Sequence, residues 1–281
     1  MKDSNHVTGF NAVSAVLEER PERVIEVLFL ADARPHPGRE AVRKLAQKRG
    51  MPMQEEDASF FRRIAGGRNA QGVAALLKPF PYTDLHVIAD RAGPESLVVV
   101  LDGVTDPHNL GAIVRSAAFF RADGIVIPKD RAAAMTPVAE RVSAGGSEIV
   151  PIARVANLAR ALQDLQDAGY WVTGTVADGG EALEDVDLTG RTVVVLGAEG
   201  AGMRRLTRER CDRLVQLPGG QGGLESLNVS VFGGVMLYEV DRQRRVQERK
   251  GGQGCSAGSS FDAFRRRICT FIWTGRCGSP P

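Results

Sequence analysis

The second half of the chain alternates continuous apolar runs with amphipathic stretches. The apolar runs include S-L-V-V-V-L from Ser96, G-I-V-I-P from Gly124, T-V-V-V-L-G from Thr192 and R-L-V-Q-L-P from Arg213. Runs of this kind are typical of strands that are buried on both faces, as in a parallel sheet. Amphipathic stretches between them, such as N-L-A-R-A-L-Q-D-L-Q-D from Asn157, predict helices. This alternation predicts a doubly wound α/β domain.

The first 80 residues contain a smaller alternation of the same kind. V-I-E-V-L-F-L from Val24 predicts a strand, and the stretches at residues 7–17 and 39–49 predict helices. A further apolar strand is expected before Pro79 and Pro81. We therefore expect a small α/β domain over residues 1–80, a linker over 81–94 and the larger α/β domain over 95–245. Residues 246–281 are rich in glycine and serine, and we expect a disordered tail without an assigned function.

Composition and charge narrow the class of protein. The 281 residues suffice for two domains, and no apolar run approaches the ~20 residues of a membrane span. The polar start lacks a signal-peptide core, so we expect a cytoplasmic protein. Residues 1–80 carry 13 Lys and Arg against 10 Asp and Glu, whereas residues 81–241 carry 14 against 22. This asymmetry suits a first domain that touches nucleic acid and a second that holds a small ligand.

The cysteines and histidines predict neither a disulfide framework nor a metal site. Three of the four cysteines lie in the last 27 residues of the chain. The four histidines are scattered singly, without a second ligand at i+3 or i+4.

The first segment with chemical potential is L-D-G-V-T-D-P-H-N-L-G-A-I-V-R-S, from Leu101. It leaves a buried strand and enters a helix, for which Asn109 is the expected N-cap. Arg115 shares a helix face with Gly111, which leaves room for a ligand or another chain. An arginine in an apolar helix is costly to bury unless an anion satisfies it. The alternative is an arginine on the solvent face with a partner in the same chain.

The second segment is V-V-V-L-G-A-E-G-A-G-M-R-R-L, from Val193. A strand ends in a glycine turn that contains one acid, Glu199, and ligands of open α/β sheets bind at the carboxyl ends of strands. The glycine order G-x-x-G-x-G differs from the dinucleotide fingerprint, so a nucleotide-dependent oxidoreductase is disfavoured. A purely structural turn is the alternative.

The third segment is P-G-G-Q-G-G-L-E-S-L-N-V-S-V-F-G-G, from Pro218. Its glycines allow the backbone to close tightly on a ligand, and Asn228 is expected to cap the helix that follows. Gly233 and Gly234 inside that helix indicate close helix packing. The alternative is a flexible loop before an ordinary helix.

Together the three segments resemble the motifs of the SpoU (TrmH) family of RNA ribose 2′-O-methyltransferases, in the SPOUT superfamily. N-L-G-A-I-V-R-S, L-G-A-E-G-A-G-M and S-L-N-V-S-V occur in the family's order, and the resemblance covers about residues 5–245. The first 80 residues are similar to the family's substrate-binding domain. Stretches such as I-P-K-D-R-A-A resemble the members that methylate a guanosine ribose in the peptidyl-transferase region of 23S rRNA.

The resemblance implies an S-adenosylmethionine-dependent enzyme with an α/β knot, a parallel sheet tied in a trefoil. It implies RNA rather than DNA as the partner, a homodimer, and neither a metal nor a membrane. The implied catalytic residues are Asn109, Arg115, Glu199, Ser226 and Asn228. The implied cofactor-binding residues are Gly197, Leu217 and Leu227. A tRNA ribose methyltransferase and a catalytically silent RNA-binding scaffold are the alternatives.

Two departures from the family pattern lie in and beside the third segment. The glycine-rich loop is about one residue longer than usual, which affects the expected geometry of the cofactor pocket. Phe232 stands where a small residue is usual, so we expect altered packing of the last helix.

Overall fold

The computed structural model describes residues 6–31, 33–65, 71–91, 93–218 and 227–251. The described residues up to Arg244 belong to one compact unit, which contains two β-sheets. The N-terminal part has a four-stranded sheet in the order β1-β4-β2-β3. Its elements are β1 (His6–Thr8), α1 (Phe10–Glu19), a 3₁₀ turn (Pro21–Arg23), β2 (Val24–Leu30), α2 (Pro37–Lys48), β3 (Met53–Glu56), α3 (Ala58–Ala65) and β4 (Val73–Leu77).

The start of the chain differs from the helix predicted over residues 7–17. Val7 lies in β1 and pairs antiparallel with Ala75 of β4, and α1 begins only at Phe10. Gly9 separates strand from helix with a φ of 100°, a backbone conformation that glycine adopts without a steric penalty. The helical periodicity therefore holds only after Gly9.

The larger sheet has seven strands, all paired in parallel, in the order β7-β6-β5-β10-β8-β11-β9. The parallel sheet and its flanking helices confirm the predicted α/β class. The strands are β5 (Leu97–Asp102), β6 (Gly124–Pro128), β7 (Ile152–Val155), β8 (Trp171–Thr175), β9 (Glu181–Ala182), β10 (Thr192–Gly197) and β11 (Arg213–Gln216). The helices are α4 (Leu85–Asp90), α5 (Pro107–Phe119), α6 (Pro137–Val142), α7 (Gly146–Ile149), α8 (Leu158–Asp167), α9 (Arg205–Arg208) and α10 (Val229–Gly251).

Helices cover both faces of this sheet because the strands are apolar on both sides. In β5, Val99 packs on one face in a core shared with α5 and α10, whereas Val98 and Val100 pack on the other face with α4 and α8. All three are fully buried. Burial of every strand position explains why the sequence shows continuous apolar runs rather than an alternation.

The segment between the two sheets, predicted as a linker, is attached to the larger sheet at several points. Thr83 forms a parallel bridge to Ala153 of β7. The Tyr82 hydroxyl accepts a hydrogen bond of 2.9 Å from the Met135 amide. In α4, Ile88 is fully buried. The connection is therefore part of the packed structure.

The last helix, α10, runs past the end predicted near Arg245 and reaches Gly251. Phe232 is partly buried against the core of the larger sheet. The remainder of the predicted tail, residues 252–281, lies outside the described residues. No helix within the described ranges is both long and apolar enough to cross a membrane. The trefoil knot stays a prediction.

Candidate functional site

The three motif segments converge at the carboxyl edge of the parallel sheet. Gly197 at the end of β10 is in register with Asp102 at the end of β5, so the first and second segments leave the sheet side by side. The third segment leaves β11 at the same edge, since all strands run in parallel. In open α/β sheets this edge is where ligands bind.

Asp106, not Asn109, caps α5, which corrects the sequence prediction. The helix begins at Pro107, and the Asp106 carboxylate accepts a hydrogen bond of 2.8 Å from the His108 amide. Proline is favoured at the first helical position because its fixed φ is helical and it lacks an N–H that would need a partner. The Asn109 side chain therefore does not cap α5 and is available for other contacts.

Asn109, Glu199 and Asn228 form a hydrogen-bonded set, which we call the polar triangle. Asn109 Nδ2 donates to Glu199 Oε1 at 3.2 Å, and Asn228 Nδ2 donates to Glu199 Oε1 at 2.5 Å and to Asn109 Oδ1 at 3.1 Å. Glu199 Oε1 also accepts from the Val229 amide at 3.2 Å. One carboxylate oxygen therefore gathers donors from α5 and from the start of α10.

Asn228 caps α10, as the sequence predicted. Its Oδ1 accepts from the Ser230 amide at 2.9 Å and from the Ser230 hydroxyl at 2.6 Å. The oxygen of the amide thus caps the helix while the nitrogen belongs to the polar triangle. The same residue fixes where α10 starts and where Glu199 lies.

The glycine turn that carries Glu199 is closed by two hydrogen bonds. The Ala198 amide donates to the Gly202 carbonyl at 3.0 Å, and the Gly202 amide donates to the Ala198 carbonyl at 2.9 Å. A Cβ on Gly197 would lie 2.5 Å from the Gly202 carbonyl carbon, so only glycine fits there. Gly200 and Gly202 have φ of 75° and 67°, and no atom lies within 4 Å of a Cβ built on either. The turn is tight on its inner side and open on its outer side.

Asp102 anchors the far end of this turn, and sequence reasoning missed it. Its side chain is fully buried, and Oδ2 accepts from the Arg204 amide at 2.7 Å. The Arg204 Nε lies 3.4 Å from Oδ1. An acid at the end of an otherwise apolar buried strand was the available sequence signal, because a buried carboxylate needs donors.

Arg115 is exposed on α5 and has no hydrogen bond or ion pair to any described residue. It lies six residues beyond Asn109 and is not part of the polar triangle. The space beside Gly111 is filled by α6, because a Cβ there would lie 2.6 Å from the Ala139 carbonyl oxygen and 2.7 Å from the Val142 Cβ. The glycine therefore accommodates a helix of the same chain rather than a ligand or another chain. The alternative interpretation, an arginine on the solvent face with a partner in the same chain, agrees with the exposure of Arg115, but no such partner is found among the described residues.

The remaining predicted site residues lie around the third segment. Leu217 follows β11 and is partly buried against the core, and Leu227 is 48% exposed. Ser226 and the rest of the glycine-rich loop, residues 219–226, lie outside the described residues. The extra loop residue falls in this range.

These residues fit S-adenosylmethionine. The outer side of the glycine turn offers backbone groups without side-chain cover, and Leu217 and Leu227 offer apolar surface for an adenine ring. The exposed carboxylate of Glu199 complements a sulfonium charge. Among the described residues, no three His, Cys, Asp or Glu side chains are grouped to hold a metal ion.

A polar cluster and a glycine turn at the carboxyl edge of a parallel sheet define a small-ligand site of the doubly wound α/β class. Comparison with known families specifies the class further. Residues 96–238 match the model of the SpoU rRNA methylase family, and residues 6–83 match the RNA 2′-O ribose methyltransferase substrate-binding model. The chain belongs to the SpoU rRNA methylase family, which confirms the resemblance seen in the motifs.

Curated relatives match over nearly their full length. The 23S rRNA (guanosine-2′-O-)-methyltransferase RlmB of Pseudomonas putida is 41% identical over 250 residues, which cover 88% of this chain and 100% of that protein. RlmB of Escherichia coli is also 41% identical over 250 residues, covering 86% and 99% of the two chains.

Solved structures agree with the fold. The SpoU methyltransferase AviRb from Streptomyces viridochromogenes, in complex with AdoMet, superposes with a TM-score of 0.74 at 25% identity, covering 85% of this chain and 90% of that chain. An AdoMet-bound rRNA methyltransferase from Sinorhizobium meliloti superposes with a TM-score of 0.69 at 25% identity, covering 85% and 87%.

Proposed function

We propose that this protein transfers a methyl group from S-adenosylmethionine to the ribose 2′-hydroxyl of a guanosine in 23S rRNA, in the peptidyl-transferase region. The observation that carries the proposal is the polar triangle at the carboxyl edge of the sheet, in a chain of this family. The RlmB relatives, 41% identical to this chain, favour 23S rRNA over tRNA. A silent scaffold is disfavoured because every motif position keeps its polar residue.

The chain's own groups supply binding and orientation. S-adenosylmethionine would be held by Gly197, Leu217 and Leu227, and it would supply a methyl group carried on a positively charged sulfur. The polar triangle fixes the start of α10 relative to the Glu199 turn. Holding two reactants in line is a large part of the acceleration of such a transfer, and it requires a site that does not move. The clamp of Asp102 on Arg204 contributes to that rigidity.

Arg115 is the proposed group at the acceptor. A guanidinium stays protonated in neutral water and is a poor base there, so we assign it binding of the target phosphate and stabilisation of the developing alkoxide. Asn109, Glu199, Ser226 and Asn228 complete the proposed catalytic set. Of these, the Glu199 carboxylate accepts the proton that leaves the hydroxyl, because amide side chains are not basic at neutral pH. The exposure of Arg115, without a protein partner among the described residues, supports this role because the guanidinium remains available to an RNA phosphate.

We also propose a homodimer formed through α5 and α10. Three large apolar side chains of these helices are half exposed: Phe119 at 53%, Val231 at 54% and Tyr238 at 50%. Phe119 follows Arg115 by four residues and therefore shares its face of α5. Burying this face against a second copy would bring Arg115 to the interface. Sedimentation at micromolar concentration is expected to give a dimer, and a monomer alone would refute it.

We propose separate functions for the parts of the chain that contain the two sheets. Residues 1–80 bind the RNA substrate, residues 81–94 connect, and residues 95–245 hold the cofactor and carry out the transfer in the cytoplasm. The substrate-binding family model, which matches residues 6–83, supports the first assignment. No function is proposed for residues 246–281.

The test combines product mapping with one variant. Unmethylated 23S rRNA and tRNA are incubated with the protein and labelled S-adenosylmethionine, and 2′-O-methyl positions are mapped. A guanosine in 23S rRNA is expected to be modified; modification of tRNA alone would refute the substrate, and cofactor binding without any transfer would favour a scaffold. Arg115→Ala is expected to lose turnover, whereas Arg160→Ala, which removes an exposed arginine from α8, is expected to retain it.

A further inference from the structure

A buried cluster of charged side chains joins the N-terminal sheet to the larger domain. Arg23, just before β2, is only 3% exposed. Its Nη1 donates to Glu148 Oε1 at 2.5 Å, and its Nη2 donates to Glu140 Oε2 at 3.0 Å. Glu140 lies in α6 and Glu148 in α7, and both are buried. We call these three residues the ionic cluster.

The connection between the two sheets is held to the same cluster. Arg23 Nη2 lies 3.4 Å from the Lys78 carbonyl oxygen, and the guanidinium lies 5.0 Å from the centre of the Phe80 ring. Arg20 also lies over Phe80, at 5.8 Å, and its Nε is 3.8 Å from Glu148 Oε2. The chain leaving β4 therefore passes the cluster in direct contact with it.

The two acidic helices support the helix that carries Asn109 and Arg115. Gly111 of α5 fits against the Ala139 carbonyl of α6 so closely that a Cβ would overlap it. On α7, a Cβ on Gly146 would lie 3.2 Å from the Arg115 Cα and 3.1 Å from the Val114 carbonyl oxygen. Backbone contacts of this kind leave no room for sliding. The ionic cluster is therefore joined to α5 through two helices in van der Waals contact with it.

The strength of the contact between the N-terminal part and the larger domain does not by itself explain why charged side chains are buried there. Apolar side chains of similar volume hold an interface at least as firmly, because burying ionised groups costs hydration. A guanidinium that spans two carboxylates has instead a fixed direction, since its planar donors must point at both. The Glu140 oxygen that does not bind Arg23 has no hydrogen-bond partner among the described residues. These contacts therefore fix the direction of the Arg23 guanidinium relative to α6 and α7.

We propose that the ionic cluster is a positioning device, which fixes the N-terminal domain relative to α5 and thereby sets the path by which the RNA strand reaches Arg115. The proposal rests on the proposed function, because it takes the N-terminal domain as the part that holds RNA. Arg23, Glu140 and Glu148 are positioning residues and touch neither the cofactor nor the ribose. Their loss affects the presentation of RNA, not the binding of S-adenosylmethionine.

Two variants separate positioning from stability. Arg23→Met removes the ion-pair partner of the buried Glu140 and leaves Glu148 with only the 3.8 Å ion pair to Arg20, so it is expected to lower the melting temperature. The triple variant Arg23→Met/Glu140→Gln/Glu148→Gln has no charge left in the cluster and is expected to recover much of that stability. Arg160→Met, which breaks an exposed ion pair of α8, is the matched control. All are compared at a temperature where each is folded by circular dichroism.

Three readouts decide the proposal. The Kd for S-adenosylmethionine, measured by calorimetry, is expected to stay within about two-fold of wild type in every variant, because the substituted residues do not touch the cofactor. A two-fold change in Kd corresponds to under about 0.5 kcal/mol. Turnover on 23S rRNA is expected to fall by about 10- to 100-fold in both Arg23→Met and the triple variant, the loss typical of a misplaced substrate. Small-angle scattering without RNA is expected to show a wider spread of dimensions for both variants. Arg160→Met should match wild type in all three.

Recovery of turnover by the triple variant along with its melting temperature would overturn the proposal, since a stabilising role alone predicts it. Scattering curves identical to wild type would overturn it as well, without reference to activity. A wild-type protein that methylates no 23S rRNA would refute the proposed function instead, and scattering would still decide whether the cluster fixes the domain.

Discussion

Gly197→Ala tests whether the inner contact of the glycine turn holds the cofactor site in shape. The new methyl group would lie 2.5 Å from the Gly202 carbonyl carbon and 2.6 Å from the Met203 amide nitrogen, both backbone atoms. Neither can rotate away, so the turn must shift outward. The shift breaks the paired hydrogen bonds between Ala198 and Gly202, at a cost of about 1–3 kcal/mol for two bonds. Glu199, at the tip, moves with the turn.

Most of this cost is expected to appear in binding rather than in unfolding, because the turn is exposed at its tip and can relax locally. A loss of about 1–3 kcal/mol weakens the Kd for S-adenosylmethionine by roughly 5- to 150-fold. Titration calorimetry measures this Kd, and circular dichroism reports the melting temperature. The control is Gly190→Ala, where no atom lies within 4 Å of the added Cβ. A folded Gly197→Ala protein with the wild-type Kd would refute the reasoning.

Three further predictions concern buried contacts. Asp102→Ala leaves the Arg204 amide without its acceptor and is expected to cost about 1–3 kcal/mol in urea unfolding, whereas Asp102→Asn keeps an acceptor oxygen and should cost less. Gly111→Ala forces α5 away from α6 and is expected to cost about 1–3 kcal/mol in the same assay. Burial raises the pKa of Glu140 from 4.5 to about 7, against the opposing effect of Arg23. The folded state therefore holds a proton that the unfolded state releases, and this contribution to stability, full below pH 4.5, is lost as the pH rises through about 7.

Each of these predictions has a contrary result. Equal midpoints for Asp102→Ala and Asp102→Asn would show that the acceptor does not matter. A Gly111→Ala protein as stable as wild type would mean that α6 moves away without cost. For Glu140, the comparison is Glu140→Gln, which cannot titrate; if stability still fell by the same amount between pH 4.5 and 7, another group would be responsible.

Features that depend only on residues close together in the sequence, such as buried strands and helix caps, could be predicted from the sequence. Buried strands such as β10 are continuous apolar runs, and Asn228 was identified as a cap because capping is decided within three residues. The cap of α5 was assigned wrongly because an Asp-Pro pair upstream of Asn109 provides a better start. Asn and Asp have similar capping propensities, and the proline that follows Asp106 favours Asp106 as the cap.

Long-range pairs could not be derived from local pattern. Asp102 meets Arg204, and Arg23 meets Glu140, across about a hundred intervening residues. Each is an ordinary charged residue until the fold is known. The polar triangle was expected only through the resemblance of three motifs to one family, because no periodicity places Asn109 beside Glu199.

The position of β10 between β5 and β8 has a consequence for synthesis on the ribosome. Both neighbours emerge before the strand that must lie between them, so their facing edges stay unpaired until Thr192–Gly197 has been made. Exposed edges of apolar strands invite pairing with other chains. The hydrogen bond between Asn109 and Asn228 forms later still, because Asn228 is synthesised 119 residues after Asn109. A chain that ends before β10 therefore keeps these edges exposed and is prone to aggregate, and one that ends before α10 lacks Asn228 and is inactive. Premature termination upstream of β10 should yield insoluble fragments rather than a partly active enzyme.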